Sequence, residues 1–373
     1  MQSPHLAPLF MIEHVLPSSP GPKQVVKGHS PVSFRYVVLS LAISLLTMAI
    51  VIWYTYEPGM LEKISPKRIP GLFIALVVSF LRVYFMAAKM RFLSEKSLTW
   101  MASFRVALSW DFASMVMPST IGGAPMTTYA MSREGISLGK STALTLYAML
   151  LDQLWFVVAI PILLIAGSFV EIAPDSVGII GEGAMIVLYM SMMLYAGVLA
   201  YGVLINPQAL KKMVSVLFKL PFLLRYKARA EMETNGLVEA SIELRSKSYG
   251  FLIKGFLISS LAWLARIWIA TIVVLSFVPA DVTHSFLRSL AMHLAGLFMP
   301  TPGGSGGLEG LFVLFQGPFM AEVDYFIGIS VFIWRCIGYY FTFALGMFAV
   351  SWYVNKNNGA KSSDASKSTD VPK

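Results

Sequence analysis

Two short stretches of this chain decide how its apolar segments can be arranged. Residues 299–309 read MPTPGGSGGLE, and residues 117–125 read MPSTIGGAP. Proline removes a backbone donor and clashes with the preceding turn, and glycine adds backbone freedom, so each stretch breaks a helix. The apolar segments before them, Ala102–Met117 and Ser285–Met299, are short for a helix that crosses a bilayer, which needs about 20 residues. We therefore expect each segment to turn back as a hairpin.

The composition places these segments in a membrane. Of the 373 residues, 56% are hydrophobic and 13% are charged, and the mean hydropathy is +0.69. A soluble domain usually carries about 25% charged residues. The sequence predicts an all-α polytopic membrane protein with about six full spans and two re-entrant broken-helix hairpins in an inverted repeat. The predicted full spans are Tyr36–Tyr56, Ile69–Lys89, Thr142–Gly167, Gly183–Ile205, Phe251–Val278 and Tyr325–Val354.

The ends of the chain differ from its middle. Residues 1–35 are rich in proline and serine and are predicted to be a disordered cytoplasmic segment. Residues 36–354 form the predicted transmembrane domain, which contains a basic loop over 206–250. Residues 355–373 are polar and are predicted to be a disordered tail.

The distribution of charge predicts the orientation. The chain carries a net charge of +9, and residues 206–250 are rich in lysine and arginine, which favours the cytoplasmic side. Residues 170–182 contain acidic residues and no lysine or arginine, so they are predicted to be outside. Both termini are then cytoplasmic in an inner (cytoplasmic) membrane. The first hairpin enters from inside and the second from outside.

The two hairpins occupy matching positions in two units, 69–167 and 251–354. Arg82 and Arg266 lie 36 and 34 residues before the proline of their respective breaks. Each unit reads as span, hairpin, span, and the charge pattern gives the two units opposite orientations. This is the inverted-topology repeat of many secondary transporters, whose sites lie near the midplane between broken helices.

Four ionisable side chains are predicted to lie deep in the spans: Arg82, Asp152, Arg266 and Arg335. A charge at the bilayer centre costs about 2.5–3.5 kcal/mol on insertion scales, so these groups should face the interior and find partners. They could form a cavity for a lipid headgroup, or they could be structural ion pairs, for example Asp152 with Arg335. Asp111 lies nearer a boundary, where a structural role is favoured.

The glycine clusters also allow two interpretations. Helix N-termini with glycine suit phosphate binding, whereas small residues also let membrane helices pack closely. Glu309, just after the second cluster, is expected to pair with an arginine or to meet a cationic headgroup. Besides the four ionisable residues, the candidate substrate-binding residues are Pro118, Ser119, Gly122, Gly123, Tyr129, Pro302, Gly303, Gly304, Gly307 and Glu309.

Other kinds of chemistry are not indicated. Residues 303–307 satisfy G-x-S-x-G, but that catalytic turn follows a strand in a soluble α/β sheet, so Ser305 is not expected to be a nucleophile. The five histidines are scattered without metal-ligand spacing. We expect no enzyme activity, no metal or other cofactor, and no nucleic-acid partner.

These motifs resemble a known family. Met117–Pro125, followed by Tyr129 and Arg133-Glu134-Gly135, is similar to the first signature of the lysylphosphatidylglycerol synthase transmembrane-region family, and Pro300–Glu309 is similar to the second. The resemblance covers about residues 35–354. It implies a flippase-like domain, which in the bacterial synthases moves an aminoacylated phospholipid between leaflets.

The sequence departs from the family pattern in two ways. The synthases carry a soluble aminoacyl-transferase domain after the membrane part, where this chain has a polar tail, so we do not expect it to make lysylphosphatidylglycerol. Family members often have an acidic-arginine pair on the span after the first signature, and here the pair is Asp152-Gln153.

Three hypotheses follow. The chain is a flippase for a phospholipid or a lipid-linked headgroup, which we expect to be anionic or a lipid phosphate; a non-catalytic subunit or anchor for a glycosyltransferase or another lipid-modifying enzyme; or a small-anion transporter. The first predicts a cavity that opens to lipid, and the second predicts a closed core.

Overall fold

The regular structure of the described residues is helical. The computed structural model describes residues 34–59, 68–116, 123–172, 178–206, 208–209, 238–297, 299 and 301–368. The helices are α1 Phe34–Thr55, α2 Ile69–Leu93, α3 Trp100–Val116, α4 Gly123–Arg133, α5 Leu138–Gly167, α6 Gly178–Ala200, α7 Tyr249–Phe277, α8 Val282–Gly296, α9 Gly307–Gln316, α10 Tyr325–Arg335 and α11 Phe341–Ser368. A π-helical turn, Tyr201–Ile205, extends α6, and another, Cys336–Tyr340, joins α10 to α11.

The spanning helices confirm the predicted fold class. Within the described residues, five segments are long and apolar enough to cross a membrane: Ile69–Leu93, Leu138–Gly167, Ile186–Ile205, Tyr249–Phe277 and Tyr325–Tyr353. The first apolar run forms α1, whose 22 residues are about 33 Å long at 1.5 Å per residue. The chain is therefore an all-α, multi-pass membrane protein.

The end of the chain differs from the expectation from composition. The structure continues α11 as a helix to Ser368, through a tail for which the polar composition predicted disorder. The segment has no proline before Pro372, so nothing in it forces the last apolar helix to stop at the membrane boundary.

The outer surface of the bundle suits lipid. Large apolar side chains such as Phe73, Ile165 and Leu194 are more than 60% exposed, and the buried side chains form two apolar clusters inside. Apolar groups this exposed would be unfavourable in water, but they are at no disadvantage against acyl chains.

Both predicted hairpins are present as pairs of short helices. α3 packs against α4, and α8 packs against α9. The first break falls on residues 117–122, outside the described residues. At the second break, Gly303, Gly304 and Gly306 have φ values of 61°, 66° and 87°. Residues with a Cβ rarely adopt this left-handed region, so glycine lets the chain reverse here.

The two units are packed in opposite directions around one helix pair. α2 packs most extensively against α7, and the two helices run antiparallel. Gly71 at the start of α2 adjoins Ser276 at the end of α7, whereas the Phe92 ring at the end of α2 stacks on Phe251 at 4.5 Å.

The hairpins exchange partners between the units. The first hairpin helix of the first unit, α3, packs on α11 of the second unit, and α8 of the second unit contacts α5 of the first. Equivalent elements thus make equivalent contacts with reversed direction, which is the arrangement that an inverted repeat requires.

Cross-linking tests the antiparallel pairing of α2 and α7. A Cβ atom built on Gly71 lies 3.2 Å from the Cβ of Ser276, close to the 3.5–4.5 Å that is typical of a disulfide. In a Cys336→Ser background, the double variant Gly71→Cys/Ser276→Cys should form an intramolecular disulfide on mild oxidation, seen as a shift in gel mobility that reductant reverses.

The matched control places the second cysteine elsewhere on α7. Ser260→Cys with Gly71→Cys should not cross-link, because residue 260 lies about 24 Å from residue 276 along the helix axis. Cross-linking of the control pair, or failure of the first pair, would contradict the register.

Candidate functional site

Two cavities meet between the repeat units. Their volumes are about 260 Å³ for the first cavity and about 140 Å³ for the second. Each draws its lining from both units. The residues that line both cavities are Arg82, Asp111, Ser114, Trp263, Arg266 and Leu297.

The cavities lie on opposite sides of the two central arginines. The first cavity is also lined by Lys89, further along α2, and by Ala262, earlier on α7. The second is also lined by Ile269, later on α7. Because α2 and α7 are antiparallel, the cavities extend toward opposite ends of this helix pair. Arg82 and Arg266 lie where they meet.

The central charges are unequally paired. Arg82 donates from Nη1 to Asp111 Oδ1 at 3.2 Å and from Nη2 to Oδ2 at 2.7 Å, and both side chains are buried. Arg266 Nη2 lies 3.5 Å from Asp111 Oδ1, and 40% of its side chain is exposed. Arg82 therefore satisfies most of the carboxylate, and Arg266 keeps the greater part of its charge available to the cavities.

The first cavity contains a second buried ion pair. Lys89 Nζ donates to both oxygens of Asp152, at 2.8 and 2.9 Å. Asp152 Oδ1 also accepts from Trp263 Nε1 at 3.1 Å and from the Ser259 hydroxyl. A buried carboxylate that accepts hydrogen bonds from three side chains is fixed in place.

One of the arginines that line the second cavity, Arg335, is bound by the second hairpin. Arg335 Nη2 donates to Glu309 Oε2 at 2.6 Å, and both side chains are buried. Glu309 also accepts from the Gly306 backbone N–H at 2.9 Å and from Ser44 of α1 at 3.3 Å. The expectation that Glu309 pairs with an arginine is confirmed.

The example of a structural pair between Asp152 and Arg335 is wrong. Asp152 pairs with Lys89 of its own unit, and Arg335 pairs with Glu309 of its own unit. Each deep charge found a closer partner on a neighbouring helix. Spacing along a helix shows which residues share a face, but it does not show which neighbouring helix that face meets.

The glycines of the breaks have different surroundings. Gly123 lines the first cavity, and a Cβ there would collide with Trp110. Gly303 and Gly304 line the second cavity. A Cβ on Gly307 would collide with Met299, so this glycine allows close packing.

The other candidates lie apart from the cavities or cannot be placed. Pro302 and Glu309 line neither cavity, although Glu309 binds the lining residue Arg335. Tyr129 packs against the first apolar cluster. Pro118, Ser119 and Gly122 lie outside the described residues.

Among the cavity residues that sequence reasoning missed, Lys89 and Trp263 contact the charged groups. Lys89 is the last residue of the predicted span 69–89, a position typical of a membrane flank, and it is nevertheless buried. Its spacing of seven residues from Arg82 placed both on one helix face and could have indicated a shared cavity. Trp263 donates to Asp152, and its ring centre lies 5.1 Å from the Arg266 guanidinium carbon. No sequence pattern distinguishes this tryptophan from the other aromatic residues of the spans.

These features define a class of protein: a multi-pass membrane protein with an inverted repeat, paired broken-helix hairpins and a charged cavity between the units. The chain belongs to the family described as the lysylphosphatidylglycerol synthase TM region, which it matches over residues 37–346. The sequence is 23% identical over 336 residues to a UPF0104 membrane protein of Archaeoglobus fulgidus, covering 87% of this chain and 99% of that protein. No solved structure matches the chain.

A double-mutant cycle tests whether Lys89 and Asp152 depend on each other. Lys89→Met should lower the free energy of unfolding by about 3–5 kcal/mol, because it leaves a buried carboxylate without its counter-charge. Adding Asp152→Asn should restore most of this loss by removing the charge. The measurement is reversible unfolding of the purified protein in mixed micelles.

The control is the partly exposed pair of Lys140 and Glu243. Lys140→Met should cost no more than about 1 kcal/mol, as exposed ion pairs usually do. Additive effects of the two substitutions at Lys89 and Asp152 would show that the pair is not coupled.

Proposed function

We propose that this protein is a lipid flippase, which moves a phospholipid or another lipid-linked headgroup across the cytoplasmic membrane. The observation that supports this most strongly is that two cavities, each lined in part by charged side chains, lie on opposite sides of one incompletely paired arginine, Arg266. A headgroup could occupy one cavity, pass this residue and enter the other.

Arg266 has the chemistry that a phosphate requires. A guanidinium presents its donors in a planar fork that matches two oxygens of a phosphate. The site is partly desolvated, since Trp263 lies against Arg266 and large apolar side chains such as Phe156 and Leu297 line the first cavity. Charge interactions are stronger in such surroundings than in water.

The outer surface supports a pathway for the lipid tails. Exposed apolar side chains on α2 and α7, such as Phe73 and Leu257, would keep acyl chains in contact with lipid while the headgroup crosses. The polar headgroup would then be the only part that must leave water. Headgroup exposure would alternate between the cavities, with no covalent chemistry by the protein.

The proposal includes an orientation. The basic residues of 206–250 favour the cytoplasmic side for that loop and, with it, for both termini. The first cavity would then lie toward the cytoplasmic leaflet, because it extends in the direction of the end of α2 and the beginning of α7. A lipid-modifying enzyme such as a glycosyltransferase would be a natural partner on this side.

Leaflet exposure in proteoliposomes tests the proposal. Fluorescent phospholipids with anionic, zwitterionic and aminoacylated headgroups are reconstituted with the protein, and the fraction accessible to a membrane-impermeant quencher is followed over time. The wild type should accelerate exchange of at least one headgroup, and Arg266→Ala should reduce that rate by about tenfold or more, because a phosphate ligand is lost. Arg266→Lys should retain part of the rate, since it keeps the charge but loses the fork.

The matched control is Lys254→Ala on the same helix. Lys254 lies over the Phe92 ring and lines neither cavity, so this variant should exchange lipid like the wild type. Equal rates for Arg266→Ala and the wild type would overturn the role of the site. No exchange of any headgroup by the folded wild type would favour the partner-subunit hypothesis, whereas flux of soluble phosphate without lipid exchange would favour an anion transporter.

A further inference from the structure

More arginine than acidic side chains line the second cavity. Arg82, Arg266 and Arg335 all line this 140 Å³ space, whereas Asp111 is the one carboxylate among its lining residues. Glu309, which does not line the cavity, binds Arg335 through Nη2. Three arginines, from α2, α7 and α10, therefore line one cavity.

Two of these arginines keep an unused donor. The Nε atoms of Arg82 and Arg335 are buried and have no hydrogen-bond partner among the described residues. Each of these two residues is only 3% exposed. A buried donor without a partner costs about 1–3 kcal/mol, so such groups usually have a partner in the protein, water, an ion or a ligand.

The buried charges around both cavities leave a small positive excess. The basic groups are Arg82, Lys89, Arg266 and Arg335, and the three carboxylates bound to them are Asp111, Asp152 and Glu309. With the His293 imidazole neutral, one positive charge remains. The first break, residues 117–122, adds no ionisable residue to this set.

We propose that the second cavity is an oxyanion subsite for a phosphate diester that carries a single negative charge. The ligand's oxygens would accept from the free Nε–H groups of Arg82 and Arg335 and from Arg266. A monoanion neutralises the excess charge, whereas a phosphate monoester or a diphosphate, with two charges, would leave one uncompensated charge inside the membrane. The subsite's part in transport rests on the proposed flippase function, but its ligand is tested by binding.

Binding to the purified protein in detergent tests the subsite. The probes are short-chain phosphatidylglycerol, a diester; short-chain phosphatidic acid, a monoester; the tail-free diester glycerophosphoglycerol; and inorganic phosphate. At pH 8, where monoesters carry close to two charges, the lipid diester should bind at least about tenfold more tightly than the lipid monoester. Comparing the lipid with the tail-free diester distinguishes a lipid headgroup from a free oxyanion as the source.

Two kinds of variant locate the binding in the second cavity. Arg335→Lys keeps the charge beside Glu309 but lacks the Nε donor, and it should weaken diester binding by about tenfold. Gly338 lines only the second cavity, and a Cβ there meets nothing closer than 3.9 Å, so a side chain can be added without a backbone collision. Gly338→Leu should weaken binding more than Gly338→Ala, in proportion to the space it fills.

The control is again Lys254→Ala, which should bind the diester like the wild type, and thermal unfolding checks that every variant is folded. Unchanged diester binding by folded Arg335→Lys and Gly338→Leu would overturn the subsite, as would equal or tighter binding of the monoester. Diester binding without lipid exchange in proteoliposomes would leave the subsite in place and overturn the flippase function. Lipid exchange by the wild type, together with unchanged diester binding by the second-cavity variants, would support the flippase function and overturn the subsite.

Discussion

The arrangement of this protein depends on the cost of a charge inside a membrane. In the part of the chain that the structure describes, three carboxylates are buried, and each lies within 2.8 Å of a basic side chain: Asp111 of Arg82, Asp152 of Lys89, and Glu309 of Arg335. Breaking such a buried pair costs about 3–5 kcal/mol, because one charge is left uncompensated. The pairs therefore tie α2 to α3 and α5, and α10 to α9, and so set the walls of the cavities.

The inverted repeat is preserved in backbone geometry and not in chemistry. Asp152 in the first unit corresponds to Arg335 in the second, and Asp111 corresponds to His293. In the first unit the span α5 pairs with the span α2, whereas in the second unit the span α10 pairs with the hairpin helix α9. The two cavities are thus similar in position but differ in the residues that carry their charges.

Much of the fold could be predicted because span length, helix breakers and loop charge are properties of the sequence itself. The breaks at residues 117–125 and 299–309 indicated both hairpins, and Arg82 and Arg266 were expected near the midplane. The partners of the charges could not be predicted. A sequence gives the depth of a residue in the membrane to within a helical turn, but its neighbours depend on the rotation and tilt of each helix.

The same limit explains why Arg266 stands out only in the structure. By sequence it equals Arg82, since both are single arginines in apolar spans. In space, Arg82 takes the bidentate position on Asp111, and Arg266 is left with one ion-pair contact at 3.5 Å and a side chain that is 40% exposed. A fully paired arginine would have to break its ion pair to bind a phosphate. Under the proposed function, Arg266 would bind one at less electrostatic cost than Arg82, and it would reach the ligand from either side because it lines both cavities.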